Sequence, residues 1–320
     1  MNENFLSQFC KEKDFIFIKS LNTNFRKNTA VVLVKSKLND TYFVLKIYGE
    51  KGTLGLNNEL SFYEKYNSAF ILKPKIIGKN FICLDYFDGS LRDIIDQKLN
   101  SNSNTFENLQ FLKNLQKMFD WFHTLEQEYF SVSPLTKNLV IDSIVDRIGN
   151  LIASGPKGTT RPSFEYFLLR QIYKLFFKKF KKNLEILIND WTLKNYNLLS
   201  KFSHNDLHCR NILIEKNTKN FKIIDFENLT SPGAWISDLL YFYATLYACF
   251  LSDHKIKEEI RKHAIQHIIH RENRLNQNDI KKLVEIFFLS AEVNSRWRLN
   301  NQGINFTKIL NFAFLLLKFK

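Results

Sequence analysis

The sequence of 320 residues has no glycine before Gly49 and only 10 glycines, 5 prolines and 4 cysteines in all. A glycine-free start excludes any loop there that relies on glycine's freedom at positive φ. Cys10, Cys83, Cys209 and Cys249 lie far apart with no C-x-x-C pair, which excludes a zinc-type spacing and a disulfide framework and suits a reducing cytoplasm. No run approaches the roughly 18 apolar residues of a membrane span, the Phe312–Leu317 run included, and the first fourteen residues lack the basic-then-apolar layout of a secretory signal. Acids are short too: 32 against 46 Lys and Arg, for a net charge of +14. The excess is spread along the chain with no basic tail, so general attraction to anions is expected and a dedicated nucleic-acid arm is not.

Hydrophobic residues make up 45% of the chain, with 31 Phe, enough to fill the cores of two lobes. Short apolar runs at Phe15–Ile18, Ala30–Val34 and Tyr42–Tyr48, separated by polar turns, predict an antiparallel start. Lys46 stands inside the third run, where an ammonium needs an anionic partner or water. A helix is predicted over Gly55–Tyr66. Both Glu59 and Glu64 lie at a suitable distance to meet Lys46, and Glu59 is preferred because it shares a face with Phe62, Tyr63 and Tyr66. Residues 75–95 read as strand, turn and strand, then Asp85-Tyr-Phe87 and a turn at Gly89.

Helical periodicity follows over 106–128, in a long segment at Pro162–Asn189, and over Leu239–Leu251, Ile256–His270 and Asp279–Trp297, with a last helix from Phe306. Lys174, Lys178, Lys179, Lys181 and Lys182 crowd the end of the long segment. Such a helix packs its apolar side on the core and leaves a basic side in water; contact of that side with an anionic membrane surface is the alternative.

The chemistry concentrates in residues 203–227. His204-Asn205-Asp206 leads to Asn211; two apolar runs, Asn211–Ile214 and Phe221–Phe226, flank a polar turn at Lys216–Asn220 and form a predicted hairpin with Asp225 near its exit. Moving a phosphoryl group to a hydroxyl needs a carboxylate to take the proton and hard oxygens to hold magnesium against phosphates. Asp206 suits the first task, Asn211 and Asp225 the second.

The pattern H-N-D-L-x-x-x-N-I-L followed by I-D-F-E resembles the catalytic and metal loops of the choline/ethanolamine kinase and aminoglycoside phosphotransferase families, in the protein-kinase-like superfamily. The resemblance implies an α+β, two-lobed kinase-like fold: residues 1–88 as a small antiparallel-sheet lobe that binds ATP, residues 89–320 as a large helical lobe, and a helical insert at about 126–200. It implies ATP and Mg2+ as cofactors, Lys46 braced by Glu59 on the phosphates, and backbone groups at Asp85 and Phe87 as the adenine-binding hinge. His204 supports the catalytic loop, His208 and Arg210 are candidates near the reacting groups, and Asp238 resembles the acid that braces the loop.

Eighty residues separate His123 from His204, and only Phe226–Ser237 separate Asp225 from Asp238. By the same resemblance, a long insert before the loop and no long activation segment after it point to a small-molecule hydroxyl acceptor rather than a protein. The expected function is therefore phosphoryl transfer from ATP to a choline- or ethanolamine-like amino alcohol or a sugar, in the cytoplasm. A kinase for an anionic glycan or lipopolysaccharide-type sugar is the alternative, and a non-catalytic nucleotide-binding module a third reading. By the same resemblance Trp297 or Trp235 is a candidate to surround a quaternary ammonium. Nothing in the sequence sets the oligomeric state.

Overall fold

The computed structural model describes residues 2–24, 29–87, 89–100, 110–125, 134–153, 164–194, 196–200, 202–214, 221–250, 253–298 and 306–318. The chain forms two compact units, Met1–Asp93 with Arg210–Leu229, and Ile94–Cys209 with Thr230–Lys320.

The first unit is built on an antiparallel sheet. Helix α1 (Glu3–Glu12), capped by Asn2, whose side chain accepts from the Phe5 N–H at 2.9 Å, lays Leu6 and Cys10 on that sheet. Burial there pushes the Cys10 thiol up to about 11, so it packs as an apolar group. The sheet holds β1 (Phe15–Asn24), β2 (Thr29–Ser36), β3 (Tyr42–Tyr48), β4 (Ile76–Gly78) and β5 (Phe81–Asp85), in the order β1-β2-β3-β5-β4. Its core face gathers Phe15, Ala30, Val32, Val34, Leu45, Ile47, Phe81 and Cys83, the alternation expected of strands with one face covered.

Strand β1 runs six residues past the apolar stretch that predicted it. Ladder pairing with β2 carries it through Lys19–Asn24, with irregular register between Phe17 and Lys19 and between Ser20 and Asn22. Helix α2 (Thr53–Lys65) follows β3.

A two-stranded hairpin, β6 (Ile212–Ile214) and β7 (Phe221–Ile223), completes this unit. It is stitched on by the Ile223 N–H to the Phe70 carbonyl (2.8 Å), by Lys222 Nζ to the Ala69 carbonyl (2.6 Å), and by bridges from Ile71 to Ile223 and Ser90 to Leu213. The predicted second strand ends at Ile223, not Phe226, because the chain turns at Asp225 and enters a short 3-10 turn over Phe226–Asn228.

The second unit is helical: α3 (Leu91–Asn100, which begins in the first), α4 (Gln110–Thr124), α5 (Pro134–Ala153), α6 (Phe164–Leu193), α7 (Trp235–Tyr247), α8 (His254–Arg271), α9 (Gln277–Arg298) and α10 (Phe306–Lys318). Helix α7 is the hub, buried along nearly its whole length and packed on α8, α9 and α5. It starts four residues earlier than its periodicity predicts, so that Asp238 lies in its first turn. Helices α5 and α6 lie in the chain between α4 and the His204–Asp206 segment. The sheet unit and helical unit together make the α+β kinase-like class.

Among the described residues, no helix is long and apolar enough to cross a membrane. The predicted turn at Lys216–Asn220 and the side chains of His123 and Trp297 lie outside the described residues.

Candidate active site

In the first unit, β3 points Lys46 off the sheet into a cluster of acids. Its ammonium donates to Glu59 Oε1 at 2.8 Å, is ion-paired with Asp225, and lies 3.6 Å from Glu227 Oε2. Glu59 comes from the inward face of α2 and is fully buried, whereas Glu64 is exposed. Tyr48 O–H donates to the second Glu59 oxygen at 2.7 Å, and the Lys46 ammonium sits 5.3 Å from the Tyr48 ring centroid. Burial works against the charge of both Lys46 and Glu59. Glu59, Asp225 and Glu227 nevertheless hold the Lys46 pKa well above the ordinary value. Burial outweighs Lys46 at Glu59, whose carboxyl is raised.

Three contacts fix Asp225 and Glu227 against α2. Phe226, between them, stacks on Phe62 with centroids 4.1 Å apart and meets Tyr63 edge-on, while Asn58 Nδ2 donates to the Glu227 carbonyl at 3.0 Å. Gly55 permits this approach: a Cβ there would stand 3.0 Å from Glu227 Cβ. Asp225 itself adopts φ 70°, ψ 59°, a left-handed conformation that Asp tolerates better than most residues. Asn211 is buried, and its carbonyl accepts from the Ile224 N–H at 3.1 Å, so the hairpin brings the ends carrying Asn211 and Asp225 together.

This donor set fits a magnesium-bound nucleotide. Three carboxylates face one ammonium, leaving negative charge for a divalent cation to balance, and Asn211 and Asp225 offer hard oxygens. Magnesium needs only one or two protein ligands when phosphates and water complete its shell, and no group of three or more His, Cys, Asp or Glu poised for a metal occurs among the described residues.

Asp85 ends β5, paired in register with Phe43; its half-exposed carboxylate lies 3.3 Å from Lys75 Nζ. Phe87 is half-buried. Arg210 is exposed.

In the second unit, segments 200–203 and 230–233 pair through reciprocal bonds between Ser200 and Gly233 and between Ser203 and Thr230, all 2.8–3.0 Å. The His204-Asn205-Asp206 segment follows directly. Asp238, fully buried, accepts the backbone N–H of His204 at 2.8 Å and of Asn205 at 3.2 Å. The brace expected of Asp238 is thus visible. His204 is buried, its ring 6.1 Å from that of Phe122. Asp206 is about one-third exposed, and His208 Nε2 lies 3.6 Å from its Oδ1.

Trp235 is not available to surround an ammonium. It is 1% exposed, donates Nε1 to the Asn197 carbonyl at 2.8 Å, and already carries the Arg271 guanidinium 4.8 Å from its ring. Two participants escaped sequence reasoning. Arg147, 58 residues before Asn205, gives no local signal; Glu227, two residues after Asp225, was visible in I-D-F-E without a stated role.

The chain has the two-lobed protein-kinase-like fold. The model is similar to an ethanolamine kinase from Plasmodium vivax, with TM-score 0.52 and 17% identity over 99% of this chain and 88% of that one. It is similar to a choline kinase from Cryptosporidium parvum Iowa II, with TM-score 0.54 and 13% identity over 98% and 95%. At such identities the likeness is one of fold. No protein-family model and no curated protein matches the sequence.

Proposed function

We propose that the protein is an ATP-dependent phosphotransferase that moves the γ-phosphoryl group to a hydroxyl of a small molecule, an amino alcohol of the choline or ethanolamine kind or a sugar. The observation that carries this reading is the Lys46 cluster: a buried lysine held by Glu59 beside two further acids, with Asn211 on the same hairpin as Asp225. Magnesium, when bound, neutralises phosphate charge and aligns the transferring group. Lys46 holds phosphate oxygens, and Glu59 with Tyr48 keeps the lysine oriented. Asn211 and Asp225 offer the metal ligands. Backbone groups at Asp85 and Phe87 receive the adenine, and Asp206 takes the acceptor's proton as its oxygen attacks.

A coupled ATP assay over a panel of amino alcohols, sugars and aminoglycosides tests this. Acceptor-dependent ADP release that falls by about three orders of magnitude in Asp206→Asn is expected. No turnover on any acceptor, with ATP binding indifferent to magnesium, would instead favour a non-catalytic nucleotide-binding module.

A second acceptor class, an anionic or lipid-linked sugar, is favoured by the net charge of +14 and by the cation already on Trp235. The outward face of α6 supports reaching such a substrate at an anionic membrane. Arg170, Lys174, Lys178 and Lys182 form one row at four-residue spacing on the same helix as Phe167, Leu175 and Ile186, which are 52%, 73% and 56% exposed. Co-sedimentation with anionic but not neutral vesicles, lost at high salt and in Lys174→Glu/Lys178→Glu, is the expected outcome. Equal binding to both vesicle types, or to neither, removes the membrane contact.

A further inference from the structure

One side chain that holds the loop before Asp206 comes from the long segment between α4 and that loop. Arg147, in the middle of α5, is 6% exposed. Its Nη2 donates to Asn205 Oδ1 at 3.1 Å and stands 3.9 Å from Asp238 Oδ1, while its guanidinium carbon lies over the Tyr241 ring, 4.9 Å from the centroid. One planar fork therefore meets a neutral acceptor, a buried carboxylate and an aromatic face, a combination arginine can make and lysine cannot.

Asn205 is the residue this fork holds, and it immediately precedes Asp206. Its φ is 60°, in the left-handed region. Asn tolerates that region, but only surrounding contacts make it the single conformation. The backbone N–H and both side-chain polar atoms of Asn205 bond inside the second unit. The N–H goes to Asp238 Oδ1 at 3.2 Å, Nδ2 donates to Thr230 Oγ1 at 2.6 Å, and Oδ1 accepts from both Ser203 Oγ and Arg147 Nη2 at 3.1 Å. A left-handed residue reverses the local chain direction, so the angle at Asn205 sets where the next side chain, Asp206, projects.

We propose that Arg147 is a positioning residue for the catalytic base: it locks Asn205 in its left-handed conformation, balances Asp238, and so fixes the direction of Asp206. This inference rests on the phosphotransferase reading and adds to it a structural reason for the long insert, because α5 belongs to that insert and supplies the clamp. In this role Arg147 acts through Asn205 and Asp238.

A double-mutant cycle with Arg147→Gln and Asn205→Gly tests it. Glycine adopts the left-handed conformation without strain but offers no side chain to clamp. Each single variant is expected to lower kcat by about 10- to 100-fold with KM for ATP little changed, since misdirecting a base costs rate rather than nucleotide affinity. The double variant should be no slower than the worse single one, because both substitutions break the same link. Arg147→Lys should restore less than a tenth of the loss, while thermal melts show all variants folded. Amide exchange supplies a readout independent of turnover: the His204 and Asn205 N–H groups should lose protection in Arg147→Gln.

Additive effects in the cycle, full rescue by lysine, or unchanged kcat in Arg147→Gln would overturn the positioning role. A wild-type protein without acceptor-dependent turnover would overturn the phosphotransferase reading and the catalytic part of this one together. In that case unchanged exchange at His204 and Asn205 would overturn the clamp as well.

Discussion

Gly233 lies so close to Ser203 that a Cβ built on it would stand 2.1 Å from the Ser203 backbone nitrogen and 2.4 Å from the Phe202 carbonyl carbon. Nothing flexible is available to give way. Because these segments are also joined by the paired bonds of Ser200 with Gly233 and Ser203 with Thr230, a side chain at 233 must push apart the strand pair that leads into the catalytic loop. Gly233→Ala is expected to lose about 1–3 kcal/mol in denaturant unfolding and to lower kcat at temperatures where it remains folded. A variant with wild-type stability would show that the segments can separate freely.

Removing Lys46 leaves Glu59, Asp225 and Glu227 without their shared cation. Lys46→Met should cost on the order of 3–5 kcal/mol, as for a broken buried pair. Magnesium should raise the melting temperature of this variant by more than it raises that of the wild type, since the ion then faces three carboxylates and no ammonium. Asp225→Asn should reverse that gain. Differential scanning calorimetry with and without magnesium reads both effects.

The helical unit carries a pH-dependent element away from the catalytic loop. His267 Nε2 lies 2.9 Å from Asp120 Oδ1 on α4, and its Nδ1 lies 2.8 Å from the Tyr243 hydroxyl on α7. A neutral ring protonated at Nε2 satisfies both, donating to Asp120 and accepting from Tyr243. Burial lowers the pKa of His267 against the pull of Asp120, with Arg271 and His270 adding to the lowering.

Burial also takes His263 down to about 4 from 6.5; His267 and Lys113 add to this, opposed by a hydrogen bond to the Leu112 backbone. Both histidines bind a proton less readily in the fold than in the unfolded chain, where they charge below about pH 6.5. The unfolded chain therefore binds more protons, and stability is complete above about pH 7 and lost as pH falls toward 4. The slope is at most about 1.4 kcal/mol per pH unit for each histidine, and less for the partly exposed His263. Melting curves should show the decline, and His263→Gln should flatten it.

Trp235 offers a sharper test of where an acceptor binds. Its indole is spent on Asn197 and Arg271, so Trp235→Phe should cost about 1 kcal/mol of stability and leave the KM of any amino-alcohol acceptor unchanged. A rise in that KM would restore the ring to the acceptor pocket.

What could be read in advance followed from the range of each interaction. Strand β3 was legible to the residue because an apolar run bounded by polar turns has few alternatives, and Glu59 because its helical face is shared with three aromatic residues. Helix α1 was not read, although Asn2 as a cap with Leu6 and Cys10 four apart carried the signal. The left-handed turn at Asp225 looked like a continued strand, since Phe226 is apolar and its burial against Phe62 is a tertiary fact. Arg147 and Gly233 were beyond reach for the same reason: one acts through a residue 58 positions away and the other through a missing atom.

The hairpin that carries Asn211 and Asp225 belongs to the sheet unit, although 116 residues of the helical unit are threaded before it. During synthesis, the sheet's first 93 residues emerge well before the segment that completes them, and Ile223, Lys222 and Leu213 supply bonds that nothing earlier in the chain replaces. The sheet unit therefore cannot finish folding until most of the helical unit has left the ribosome. A chain cut before residue 210 should remain sensitive to protease across β4 and β5, and adding residues 210–229 in trans should restore protection.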